Sequence, residues 1–132
     1  LKVVYAATKE QEEYIHYLIN YFYSNIFPRY FDDSEIKEFK NLEILSLKGE
    51  HIHYNGTMKE AFKIISSLQS LIAIIESVKM NPIPEHHRKL FKKNVRLLER
   101  YGISFPFLIE QFTNRRKAVL SMYSQPANRW LI

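Results

Sequence analysis

A chain of 132 residues with 19 Lys and Arg, 14 Asp and Glu and no Cys is long enough to bury an apolar core as one domain, and it excludes disulfide staples and thiolate metal ligands. The net charge of +5 hides an asymmetry: residues 1–60 hold 7 cations against 10 acids, whereas residues 61–132 hold 12 against 4. Such a polarised chain attracts a polyanion, its own acidic half or a second copy, while glycine at positions 49, 56 and 102 alone excludes a P-loop or dinucleotide fingerprint.

In chain order, Lys2 to Ala6 (KVVYA) reads as a short strand or extended arm, rich in β-branched and aromatic residues. Thr8 and Gln11 have capping-box spacing and open a helix from Lys9 to Ile26 or Phe27. Its stripe is Ile15, Leu18, Ile19, Phe22 and Ile26, and Pro28 is expected to stop it. Tyr14, Tyr17 and Tyr21 form a ladder beside that stripe. After a turn at 29–33, Asp33 or Ser34 is expected to cap a short helix to about Asn41, with Ile36 and Phe39 inward. Negative charge at that helix start accounts for Asp32, Asp33 and Glu35 without invoking acid–base work. From Leu42 to Tyr54, ILSL and HIHY flank Lys48-Gly49-Glu50, which reads as a small hairpin, or as a helix end and loop.

Thr57 to Met80 is the stretch around which the chain is organised. Thr57 and Glu60 form another capping box, and Ala61, Ile64, Ile65, Leu68, Leu71, Ile72, Ile75 and Val78 recur at helical steps. The opposite face holds Ser66, Ser70 and Ser77 with Ile74, so it is expected to be covered as well, by the last helix, the tail from Trp130 to Ile132 or another subunit. Asn81 to Pro84 breaks the chain. The following helix, with Pro84 in its first turn, runs to Tyr101 and ends at Gly102. Its inner stripe is Phe91, Val95, Leu98 and Tyr101. Lys89, Lys92, Lys93, Arg96 and Arg100 lie outside. A last helix is expected from Ser104, with Pro106 in its first turn, burying Phe105, Leu108, Phe112, Val119 and Met122, and residues 123–132 read as a docking tail.

Three functional classes are consistent with these residues. The aromatic excess and the absence of a catalytic signature favour a non-enzymatic interaction protein, expected to be a homodimer that also binds another protein. Its candidate interface is Tyr14, Tyr17, Tyr21, Ser66, Ser70, Ile74 and Trp130. The alternative is a nucleic-acid-binding module using Lys89, Lys92, Lys93, Arg96 and Arg100, with Arg88 nearby and Arg115, Arg116 and Lys117 downstream. The second alternative is a metal-dependent enzyme built on His51, His53 and His86 or His87, although adjacent histidines on a helix diverge by about 100°. No catalytic, cofactor-binding or metal residue is assigned, and no cofactor is expected. The uncharged run of 12 residues from Ile64 to Ile75 is too short for a membrane span, which points to a soluble cytoplasmic protein.

The segments EQEEYIHYLINYFYSNIFPRYF (10–31) and HYNGTMKEAFKIISSLQSLIAIIE (53–76) resemble the YhcU-like proteins, small uncharacterised cytosolic proteins of spore-forming Gram-positive bacteria. The resemblance implies a bacterial, intracellular, mostly helical protein and supplies no activity or site residue. The expected architecture is one mainly α domain, a small helical bundle around a central buried helix, with a minor β-hairpin or short strands.

Overall fold

The computed structural model describes residues 3–78 and 83–112. Three reciprocal capping boxes start its helices. Gln11 donates its backbone N–H to Thr8 Oγ1 at 3.0 Å to open α1 (Lys9–Tyr21), and Glu60 does the same to Thr57 Oγ1 at 3.1 Å to open α4 (Met58–Ser77). The cap of α3 (Asp33–Asn41) is Asp32, not Asp33 or Ser34. Asp32 is the acid three residues before Glu35, so its carboxylate takes the Glu35 N–H at 2.8 Å while Glu35 returns the bond at 3.0 Å.

Pro28 does not end the first helix. Residues Phe22–Ile26 widen into a π turn, in which Phe27 N–H reaches back to Phe22 O, and α2 (Phe27–Tyr30) continues through the proline. An α-helical path would press the Pro28 ring against the carbonyl four residues earlier. The wider turn avoids that path and keeps Phe22, Ile26, Phe27 and Tyr30 buried.

The hairpin expected at 42–54 does not form. Instead α3 ends with Glu43 at φ 57, its N–H on Lys40 O and the Ile44 N–H on Phe39 O, which is a Schellman motif without glycine. Ile44 and Leu45 are both buried, and two consecutive inward residues break the alternation a hairpin needs. Ile44 pairs with Ser104 in an isolated parallel bridge, and Ala6 pairs with Thr57 in an antiparallel one. Tyr23 from the π turn donates its hydroxyl to Ile44 O at 2.6 Å, locking the loop to the first helix.

Burial pushes the Tyr23 hydroxyl from 10.0 up to about 12. Burial and the Glu12 carboxylate, which accepts its hydrogen bond, raise Tyr54 to about 12 as well. Both shifts favour the neutral phenol in the folded state. The stability they contribute is therefore intact below pH 10 and is lost as pH climbs through 12. Urea unfolding followed across that window should show the fall, and the paired change Tyr23→Phe, Tyr54→Phe should flatten it.

α4 lies between α1 and α5 (Glu85–Arg100). α1 and α4 are parallel: both start beside the Ala6–Thr57 bridge, and Tyr14 and Tyr21 meet Gln69 and Glu76 at matched steps. α5 returns antiparallel, and its end is tied down where His53 N–H donates to Tyr101 O at 2.8 Å. The serine-rich face of α4 is covered only in part: Ser66 and Ser70 are half-buried and Ser77 is exposed, while Ser67 at its margin is buried.

No helix starts at Ser104. After Gly102 the chain is extended, burying Ile103, Phe105, Phe107 and Ile109 while Ser104, Pro106 and Leu108 face out, and only Ile109–Phe112 forms a short 3₁₀ turn. This is the period of two of an extended segment. Phe105, Phe107 and Phe112 meet Phe22, Phe27, Phe31, Phe39 and Phe91 in one aromatic core of edge-to-face and tilted ring contacts. Val119, Met122 and the 123–132 tail lie outside the described residues. The architecture is mainly α, with helices bundled around α4.

Candidate functional site

The exposed apolar side chains of this fold are concentrated. Ten large hydrophobics are exposed among the described residues, and seven of them, Val3, Val4, Tyr5, Tyr14, Tyr17, Met58 and Phe62, lie along the seam where α1 and α4 run side by side. At its N-terminal end the arm 3–5 and the first turns of α4 line a groove of about 780 Å³ with Gln11 and Lys59. Tyr5 O accepts from Met58 N–H and Ala7 N–H donates to Gly56 O, so the backbone groups of Val4 and Ala6 point away from that pairing.

Further along, the Tyr14 and Tyr17 rings stack at 5.8 Å, 9° from parallel. Gln69 Nε2 donates to Tyr14 OH at 2.8 Å, which fixes Tyr14 on the seam, while Tyr17 is 58% exposed. Tyr21 is different. It donates to Glu76 Oε2 at 2.6 Å, Arg29 lies 3.4 Å from the same oxygen, and the hydrogen bond to Glu76 holds the phenol above its ordinary range. It therefore joins α1 to α4 rather than standing free. Ile74 is 4% exposed within the chain and so is not available to a partner. Trp130 lies outside the described residues. Phe62, 64% exposed, was missed by the sequence reading; its signal was its position off the apolar stripe of α4.

A second surface lies on α5. Lys89, Lys92, Lys93, Arg96 and Arg100 are all exposed, and the ion pairs Arg29–Glu76 and Arg88–Glu110 use none of them. Lys92 and Arg96, with Arg88, border a cavity of about 190 Å³ whose apolar lining includes Phe91, Val95 and Phe107. The hydrogen bond from Arg88 keeps the Glu110 carboxyl below its ordinary range, with Lys92 adding to the effect. Arg115, Arg116 and Lys117 lie outside the described residues.

The histidines do not converge. His53 sits by Tyr101 at the end of α5, whereas His86 and His87, with rings 4.3 Å apart, sit at its start. A helix of 16 residues separates them by about 24 Å, so the metal reading loses its geometry. Among the described residues no three His, Asp or Glu side chains come together in a way that would hold a metal ion, and no helix is long and apolar enough to cross a membrane.

A family model described as a family of unknown function (DUF5365) matches residues 1–117. The uncharacterised protein YhcU of Bacillus subtilis (strain 168) is 36% identical over 116 residues, covering 87% of this chain and 86% of that protein. No solved structure matches. The resemblance carried by residues 10–31 and 53–76 is thereby extended over nearly the whole chain, which belongs to this family of unknown function that the YhcU-like proteins represent.

Proposed function

We propose that the protein is a non-enzymatic interaction protein of the cytoplasm that self-associates as a homodimer through the α1–α4 seam. The observation that supports this is the gathering of seven of the ten exposed large hydrophobics on that one face. Contiguous exposed apolar surface of this kind marks interaction sites, and tyrosine supplies contact area at low entropic cost. Two parallel helices with an open arm edge present the same patch on both copies, as a two-fold interface requires. Sedimentation velocity at micromolar concentration should show a dimer. Phe62→Glu and Tyr17→Glu should each weaken it about tenfold or more, since a buried unpaired carboxylate costs more than about 1.4 kcal/mol. Unchanged helical circular dichroism would show that the variants still fold. A wild-type chain that stays monomeric throughout would remove the homodimer.

The five exposed cations on one face of α5 support a second reading, a nucleic-acid-binding surface. Retention of DNA or RNA on a filter should then fall steeply with salt, and Lys92→Gln with Lys93→Gln and Arg96→Gln should flatten that dependence. No retention at low ionic strength would discard it.

A further inference from the structure

α1, the π turn, α3 and the loop after α3 border an open cavity of about 340 Å³, within the size range of small-ligand sites. Its buried and half-buried lining is apolar apart from Ser46: Ile19, Ile44, Leu45 and Leu47, with the ring of Tyr23. Its exposed lining is charged, and three basic side chains, His16, Lys40 and Lys48, stand against the single acid Glu43.

The neutral polar groups here are already engaged. Tyr23 OH donates to Ile44 O, and Ser46 Oγ accepts Lys48 N–H at 3.0 Å. Lys40 and Lys48 are in neither ion pair formed by the described residues; the Lys40 ammonium instead lies 5.4 Å from the centre of the Tyr23 ring. Two ammonium groups bordering one cavity repel each other, and an anion between them removes that repulsion.

The backbone that brings Lys48 to this cavity is strained. Glu43 and Leu45 have φ of 57° and 55°, values unfavourable for residues with a Cβ and most of all for a bulky one. Leu45 is held there by its own burial and by its N–H bond to Ser104 O at 2.8 Å. A strained turn thus fixes the wall of an apolar cavity and its cationic border together.

We propose that this cavity binds a small molecule with one anionic group, its apolar body against Ile19, Ile44 and Leu47 and its carboxylate or phosphate held by Lys40, Lys48 and His16. The site is independent of the α1–α4 seam and of the basic face of α5. Amide chemical shifts of the full chain should be followed on titration with benzoate, phenyl phosphate and neutral benzyl alcohol. Saturable shifts confined to His16, Lys40 and residues 44–48 are expected with at least one acid, and the tighter of the two identifies the head group. Lys40→Met and Lys48→Met, both at exposed positions, should each weaken that binding about tenfold with helical content unchanged. The proposal is overturned if neither acid gives saturable shifts, if benzyl alcohol binds as well as the acids, or if both lysine variants retain full affinity.

Discussion

Gly102→Ala should be among the most damaging single substitutions in the chain, and Gly56→Ala should be mild, although both glycines have left-handed backbones, with φ of 77° and 74°. At Gly102 a Cβ would lie 1.7 Å from His51 O and 2.5 Å from its carbonyl carbon, with Ile52 Cα at 3.0 Å. These are backbone atoms, so no rotamer change relieves the overlap. Either the 51–53 segment moves off, losing the bond from His53 N–H to Tyr101 O, or the cap of α5 opens. That cap is a Schellman motif in which Ile103 N–H reaches Leu98 O at 3.0 Å and Gly102 N–H reaches Glu99 O at 2.9 Å. Left-handed strain costs about 1–2 kcal/mol, and each lost hydrogen bond adds about 1, so about 3 kcal/mol or more is expected. That is a large share of the 5–15 or so that hold a typical protein folded. A Cβ at Gly56 meets nothing within 4 Å, so only the strain, about 1–2 kcal/mol, applies there. Urea midpoints of the two variants against wild type give the comparison. Equal losses would mean that the approach of His51 to Gly102 is not the deciding contact.

The parts of this fold that were legible are those set by local chemistry. Thr8 with Gln11 and Thr57 with Glu60 state their caps in four residues, and the α4 stripe states its period over five turns. Gly102 announces the end of α5 because a left-handed cap favours that residue type. What sequence reading missed was decided by distant partners. Pro28 forbids an α-helical path, but whether the chain stops or widens into a π turn depends on whether Phe27 and Tyr30 find a core to fill. That core comes from Phe105, Phe107 and Phe112, some eighty residues later in the chain. Ile44 and Leu45 carried no hairpin because their partner is Ser104 rather than a neighbouring strand.

The candidate surfaces divide in the same way. The basic face of α5 follows from helical spacing alone, as does the position of Phe62 off the α4 stripe. The tyrosine ladder was visible as a pattern, yet its members part company once α4 lies beside it: Tyr21 is held by Glu76, Tyr14 by Gln69, and Tyr17 rests on Tyr14. The cavity between α1 and α3 had no sequence signature, since His16, Lys40 and Lys48 come together only through the left-handed turn at Glu43 and Leu45.

The segment after Gly102 gives the sharpest test of period. A helix from Ser104 would bury Leu108, whereas the extended path buries Phe107 and leaves Leu108 64% exposed. The Phe107 ring lies 5.0 Å from Phe105, 5.1 Å from Phe39, 5.3 Å from Phe27, 5.5 Å from Phe31 and 5.7 Å from Phe112. Removing it takes away buried area and leaves a void bounded by five rings that cannot all close in. Phe107→Ala should therefore cost about 3–5 kcal/mol, the range for a buried aromatic truncated to alanine. Leu108→Ala should stay within about 0.5 kcal/mol, because little apolar surface leaves or enters water. Denaturant unfolding of the two variants separates the alternatives cleanly. A large loss for Leu108→Ala with a tolerated Phe107→Ala would restore the helical period and remove the aromatic core built on residues 105–112. The expected order, with Phe107 severe and Leu108 neutral, follows from a single property of the fold: from Ile103 to Ile109 burial alternates, and Leu108 falls on the outward step.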